Sequence, residues 1–94
     1  MAKLHLNEYD YDVTGYNKST MMDNNVIVST ASCTLSTNNN TSLPTLMTTP
    51  ITTITITNDS DEEIYKLENI EAYITHINEY LSGDQVIVNV DIVF

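Results

Sequence analysis

The last nine residues constrain the fold most. Val86, Val88, Val90, Ile92 and Phe94 alternate with Ile87, Asn89, Asp91 and Val93, running to the last residue given. A period of two is that of a β-strand, and its apolar stripe has to be covered by a second layer. The chain therefore has to build a sheet with a buried face. A second alternation, Ile51-Thr52-Thr53-Ile54-Thr55-Ile56-Thr57, is followed by the turn residues Asn58-Asp59-Ser60-Asp61 and by Glu63-Ile64-Tyr65-Lys66-Leu67, which predicts a β-hairpin. Lys3 to Asn7 reads as a short strand with Leu4 and Leu6 on one face. Glu8 to Asp10 turns the chain, and Tyr11, Val13, Gly15 and Tyr16 return it, ending or bulging at glycine. Asp23-Asn24-Asn25 is a further turn, leading into a strand from Val26 to Leu35 with Ile27, Ala31, Cys33 and Leu35 on one face.

Between these elements lies a stretch of 29 residues, Ser29 to Thr57, without a charge and rich in Thr, Ser and Asn. Threonine is β-branched and fits a half-exposed pleated surface, so the stretch favours strand over helix, with disorder as the competing reading. Ser36 to Ser42 has no apolar residue and is the expected loop tip, while Pro44 and Pro50 bracket a connection suited to a single helical turn. The segment 69–82 is ambiguous. Ile70, Ile74, Ile77 and Leu81 recur at spacings of four, three and four, with Asn69 as a candidate N-cap and Gly83 as a C-terminal stop, which favours a helix. Ile70, Ala72 and Ile74 also alternate at period two, as a strand would. The expected fold is mainly β, or α+β with one helix at about 69–82: a single-domain antiparallel sandwich or partly open barrel built from hairpins.

The 94 residues suffice for one domain and bury roughly 65% of the unfolded surface. Thirteen acidic residues face three lysines, giving a formal charge of -10. Lys3, Lys18 and Lys66 cannot neutralise a run of phosphates, so direct nucleic-acid or anionic-membrane binding is not expected, and a charged partner should be basic. The lone Cys33 cannot form an intrachain disulfide, which fits a reducing setting or a virus-like particle better than a secreted domain. Residues 1–12 have no apolar core of a signal peptide, and no apolar run approaches a membrane span, so the chain reads as soluble. The sequons at Asn17, Asn39, Asn40 and Asn58 are what 11 Asn and 21 Ser plus Thr produce by chance.

No catalytic, cofactor-binding or metal-binding residues are expected. His5, His76 and Cys33 lack ligand spacing, and Cys33 lies on an apolar strand face, where it acts as a small hydrophobe. Asp59, Asp61 and Glu63 open like a calcium loop, but Ile64 and Ile70 stand where that loop needs Gly and Glu, so the turn reads as solvated. With Gly15 and Gly83 as the only glycines, there is no phosphate-cradling loop.

The aromatic bias is informative, with six tyrosines against one phenylalanine and no tryptophan. Tyr9, Tyr11 and Tyr16 alternate with Glu8, Asp10 and Asp12 in the first hairpin, an arrangement suited to an acidic, tyrosine-bearing interface. Residues 51–94, with the I-x-I hairpin, the Y-x-L-x-N-I strand and the closing V-x-V-x-I-x-F strand, resemble the small β-rich virion proteins of tailed bacteriophages. The resemblance extends to the opening LHLNEYDYDVTGYN. It implies a structural component of a tail, neck, baseplate or capsid surface, assembled in the bacterial host cytoplasm and meeting other virion proteins or copies of itself. The terminal strand, with Val86, Val88, Val90, Ile92 and Phe94, is the expected pairing edge, since neither proline nor lysine protects it. The charge supports a different class of function: a small acidic inhibitor that mimics nucleic acid and blocks a basic host nuclease or defence complex. Acids gathered on one face would favour mimicry, and acids spread over a rim would favour solubility.

Overall fold

The computed structural model describes residues 1–36 and 41–94. The protein is mainly β, and the described residues form six antiparallel strands: β1 Lys3–Leu6, β2 Tyr9–Asp23, β3 Val26–Ser36, β4 Ile51–Thr57, β5 Glu63–Ser82 and β6 Gln85–Val93. Pairing runs β1-β2-β3-β6-β5-β4 and returns from β4 to β1. The ring closes only through β1, whose four residues pair with β2 on one side and β4 on the other. Beyond β1 and β4, the long strands β2 and β5 run on, leaving a four-stranded sheet β2-β3-β6-β5 with two outer edges. The sandwich and partly open barrel readings thus merge. One layer is β2-β1-β4-β5 and the other β2-β3-β6-β5, and β2 and β5 pass from layer to layer through bends.

Three two-residue turns set the hairpins. Asn7 (φ 55°), Asn24 and Asn25 (φ 49° and 64°) and Gly83 (φ 61°) take the left-handed conformation that such turns need, which Asn and Gly tolerate best. Asn7 does more. Its side-chain carbonyl accepts from the Thr52 amide at 2.8 Å and the Thr53 amide at 3.4 Å, and its amide donates to the Pro50 carbonyl at 3.0 Å. The β1–β2 turn is thereby tied to the start of β4.

The core is formed from inward positions of all six strands and the 3-10 helix Leu43–Met47, with Leu4, Leu6, Leu35, Leu43, Leu46, Ile51, Ile54 and Val88 fully buried. The helical turn appears where the prolines bracket it, and it packs against β5. Of the loop expected at Ser36 to Ser42, residues 37–40 lie outside the described residues, as do the sequons at Asn39 and Asn40.

The helix expected at about 69–82 is absent: the segment is the second half of β5. Register shifts add two residues to β5 between its partners of Thr53 and Ile51, where Asn69 takes φ 56°, and one more between Ile74 and His76. Each bulge resets which residues point inward. Inward positions then fall at Leu67, Ile70, Ala72, Ile74 and Ile77, and a bulged period of two imitates helical spacing. β2 likewise continues to Asp23, so of the two expectations at glycine, an end or a bulge, the structure has the bulge, at Thr14.

Two outcomes check this arrangement. Asn7→Ala should lower stability by about 2 kcal/mol, combining left-handed strain with lost turn hydrogen bonds, whereas Asn7→Gly should recover the strain part only. Equilibrium urea unfolding measures both. Deleting Asp91 to Phe94 removes the partners of Ala31, Ser32 and Ile74 along with buried Ile92, and should abolish cooperative thermal unfolding.

Candidate interaction surfaces

β6 is not an edge. It pairs with β3 on one side and β5 on the other, and Val88, Val90 and Ile92 are 0–1% exposed. Val86 and Phe94 are half-buried against the same core. The expectation that Val86, Val88, Val90, Ile92 and Phe94 form a pairing surface is therefore corrected. The apolar stripe is satisfied inside the molecule, with Ala31, Cys33 and Leu35 of β3 beside it on one side and Ile74 and Ile77 of β5 on the other. Phe94 is also covered, with the Lys18 ammonium 5.2 Å from its ring centre and its backbone amide donating to the Ser29 carbonyl at 3.1 Å.

The three tyrosines do not form an acidic rim either. Tyr9 and Tyr11 point inward with Val13, and the bulge at Thr14 shifts the parity so that Tyr16 points inward too. Tyr11 is buried and its hydroxyl shares a 2.6 Å hydrogen bond with the Ser42 hydroxyl, while burial pushes its pKa up. Tyr16 packs on Tyr65 with ring centres 5.2 Å apart, its hydroxyl 3.4 Å from that of Tyr65, and burial raises its pKa as well. Tyr9 is half-buried against the core. Burial leaves the interleaved acids, not the tyrosines, on the surface.

Those acids are interleaved with basic side chains. On the outer face of the β1–β4 layer Lys3 pairs with Asp12 at 3.3 Å, Lys66 sits between Glu63 and Glu68, and the imidazole of His5 lies with Nδ1 2.5 Å from Asp10. The turn at 59–63 is organised by Asn58, whose side-chain carbonyl accepts from the Ser60 and Glu62 amides at 2.9 and 3.0 Å. Asp59 there takes the amino-terminal ammonium as its partner. Among the described residues, no group of three or more His, Cys, Asp or Glu side chains is placed to hold a metal ion. His5 and His76 sit on different strands, and Cys33 faces the core with its thiol pushed up to about 12 by burial and, secondarily, by Asp91.

What is exposed lies elsewhere. Met21, Met22, Val26 and Ile27, at the tip of the β2–β3 hairpin, are 59–70% exposed, and Tyr80 and Leu81 lie exposed near the β5–β6 tip. The two tips project from opposite ends of the shared sheet, since Thr30 pairs with Val93 and Ser36 with Ile87. Beside the first arm, where β1 ends and β2 continues, Ala2, Val13, Thr14, Gly15, Tyr16 and Ile56 line an open recess of about 150 Å³. Reading β2 backwards from the Asp23-Asn24-Asn25 turn, as the partner of Val26 to Leu35, would have found the methionines. No protein-family model matches the chain, and no curated protein is significantly similar to it.

Cys33 yields a prediction. A thiol held protonated near 12, against 9.0 when free, contributes stability that is complete below pH 9 and is lost as the pH rises toward 12. Tyr11 and Tyr16, also raised, act in the same direction. Stability should therefore fall above about pH 9, and Cys33→Ala should show a shallower fall over that interval than the unmodified chain. Chemical unfolding at a series of pH values measures this, and thiol reagents at pH 8 should label Cys33 only on unfolding.

Proposed function

We propose that the chain is a non-enzymatic structural or assembly subunit of a bacteriophage particle, acting through interfaces with other virion proteins or with copies of itself. The observation that carries this reading is a pair of sheet edges that have no strand partner among the described residues, on β2 beyond β1 and on β5 beyond β4, each near a hairpin tip with exposed apolar side chains. Unpaired edges beside apolar side chains tend to acquire a neighbour, and symmetric assemblies supply one. The resemblance of residues 51–94 to small virion proteins of tailed bacteriophages supplies the setting: a particle assembled in the host cytoplasm.

The acidic-inhibitor reading depends on carboxylates concentrated on one face. The carboxylates of the β1–β4 layer are interleaved with Lys3 and Lys66, and Asp23, Glu79, Asp84 and Asp91 lie on or beside other strands, which fits solubility better than mimicry. Mass spectrometry of purified particles from an infected culture should find the chain in multiple copies per particle. Its presence in the lysate but absence from particles, together with capture of a basic host protein, would overturn the assembly reading in favour of inhibition.

A further inference from the structure

Of the two outer edges, β2 and β5 differ in regularity. The β5 edge, Tyr73–Ser82, carries the bulge at Thr75 and the acid Glu79, and the strand it continues is bulged again around Asn69. Bulges and charges are the devices that keep an edge from pairing. The β2 edge has no bulge from Gly15 to Asp23, and its two charges, Lys18 and Asp23, are of opposite sign and sum to zero. Along this length it keeps one continuous register with β3, without proline.

Charge singles out the same arm. The chain as a whole is at -10, yet residues 13–36, the whole of the β2–β3 arm, contain one lysine and one aspartate. Two copies approaching through the acidic layer or the β5 edge would repel one another, and through this arm they would not. The arm also carries an apolar projection and an apolar hollow on one strand. Met22 lies exposed on the inner face near the tip, opposite Ile27, and the recess beside Tyr16 opens at the other end of the same edge. A hollow of about 150 Å³ is of the size that admits an apolar group as large as benzene.

We propose that Gly15–Asp23 is a self-pairing strand, which joins antiparallel to the same strand of a second copy and seats Met22 of each copy in the recess of the other. This rests on the assembly reading above and names its surface. A two-fold axis at Ser19 sets Tyr16 opposite Met22, Asn17 opposite Met21, Lys18 opposite Thr20 and Gly15 opposite Asp23, with no like charges facing. Main-chain hydrogen bonds then extend the sheet across the axis, from β6 through β3 and β2 into the second copy. The recess accounts for the register: only a pairing centred near Ser19 brings a methionine of one copy to the Tyr16 end of the other.

Light scattering over roughly a hundredfold range of concentration should show a monomer passing into a dimer. Ser19→Glu, which places a carboxylate opposite its own copy, and Met22→Ser, which empties the recess, should each raise the concentration of half-association roughly tenfold or more. Leu81→Glu, at the opposite tip, should leave it unchanged, and all three variants should keep the far-UV spectrum and melting behaviour of the monomer. Amide hydrogen exchange gives a readout independent of substitution. Protection should rise with concentration from Gly15 to Asp23 and stay constant from Tyr73 to Ser82. Ser19→Cys should form a disulfide-linked dimer under mild oxidation, and Thr52→Cys should not. Self-association with unchanged exchange on β2 would overturn this pairing and leave the assembly reading standing. A monomer at every concentration would overturn the pairing too, while particle composition would decide the assembly reading separately.

Discussion

The fold depends on β1. Four residues, Lys3–Leu6, hydrogen-bond to β2 and β4 at once, and they alone convert two hairpin layers into a ring. Leu4 and Leu6 are fully buried beneath that seam. A strand this short supplies little pairing energy by itself, so its position has to be fixed from outside. Asn7 does this at one end, holding the Pro50 carbonyl and the Thr52 and Thr53 amides, and Lys3 and His5 do it along the outer face through Asp12 and Asp10. The closing strand is thus held by polar contacts at its end and along its outer face.

Closure at one place opens the sheet at another. Because β1 and β4 are short and β2 and β5 are long, pairing along the long strands is two-sided at one end and one-sided at the other. The core is sealed where the ring is complete, by Leu4, Leu6, Ile54 and Ile56, and capped by Leu43 and Leu46 from the 3-10 helix. Past that region the same inward face runs out of opposing side chains. Ile27 and Met22 on one arm and Leu81 on the other occupy inward positions of the alternation and are nevertheless 69–72% exposed. Their exposure follows from strand length, not from a break in pattern.

Most of the fold was legible in the sequence: the β class, the N-terminal hairpin, the turn at Asn24-Asn25, the strand from Val26, the proline-bracketed helical turn and the hairpin at residues 51–67. These are set locally, by alternation and by residues that tolerate left-handed backbone. The bulge beside Gly15 was legible only as one of two alternatives, an end or a bulge, and those of β5 were not legible. Thr14 left the continuation of β2 open and made Tyr16 seem to share a surface with Glu8 and Asp10. The extra residues around Asn69 and Thr75 gave β5 the spacing of a helix. A bulge is stabilised by the facing strand, which the sequence of its own strand does not specify. The surface was harder still. Val86, Val88, Val90, Ile92 and Phe94 had the composition of a core strand and of an interface strand alike, and only the partners on both sides decide between them.

The distribution of charge has the same origin as the distribution of edges. Most acidic side chains lie in the sealed layer and its turns, where they are solvated or meet Lys3, His5 and Lys66. The β2–β3 arm is instead lined outward by Asn17, Ser19, Thr30 and Ser32, and short hydroxyl contacts such as Thr20 to Ser29 at 3.0 Å link its strands. Charge on an edge strand is a general defence against unwanted pairing. A chain with 13 acids has ample means to protect every edge, and it leaves this one nearly neutral. The bulges of β5 and the carboxylate of Glu79 show the defence applied on the opposite edge of the same sheet. The two edges differ in chemistry, so any neighbour that adds a strand to this sheet meets a surface that discriminates between them.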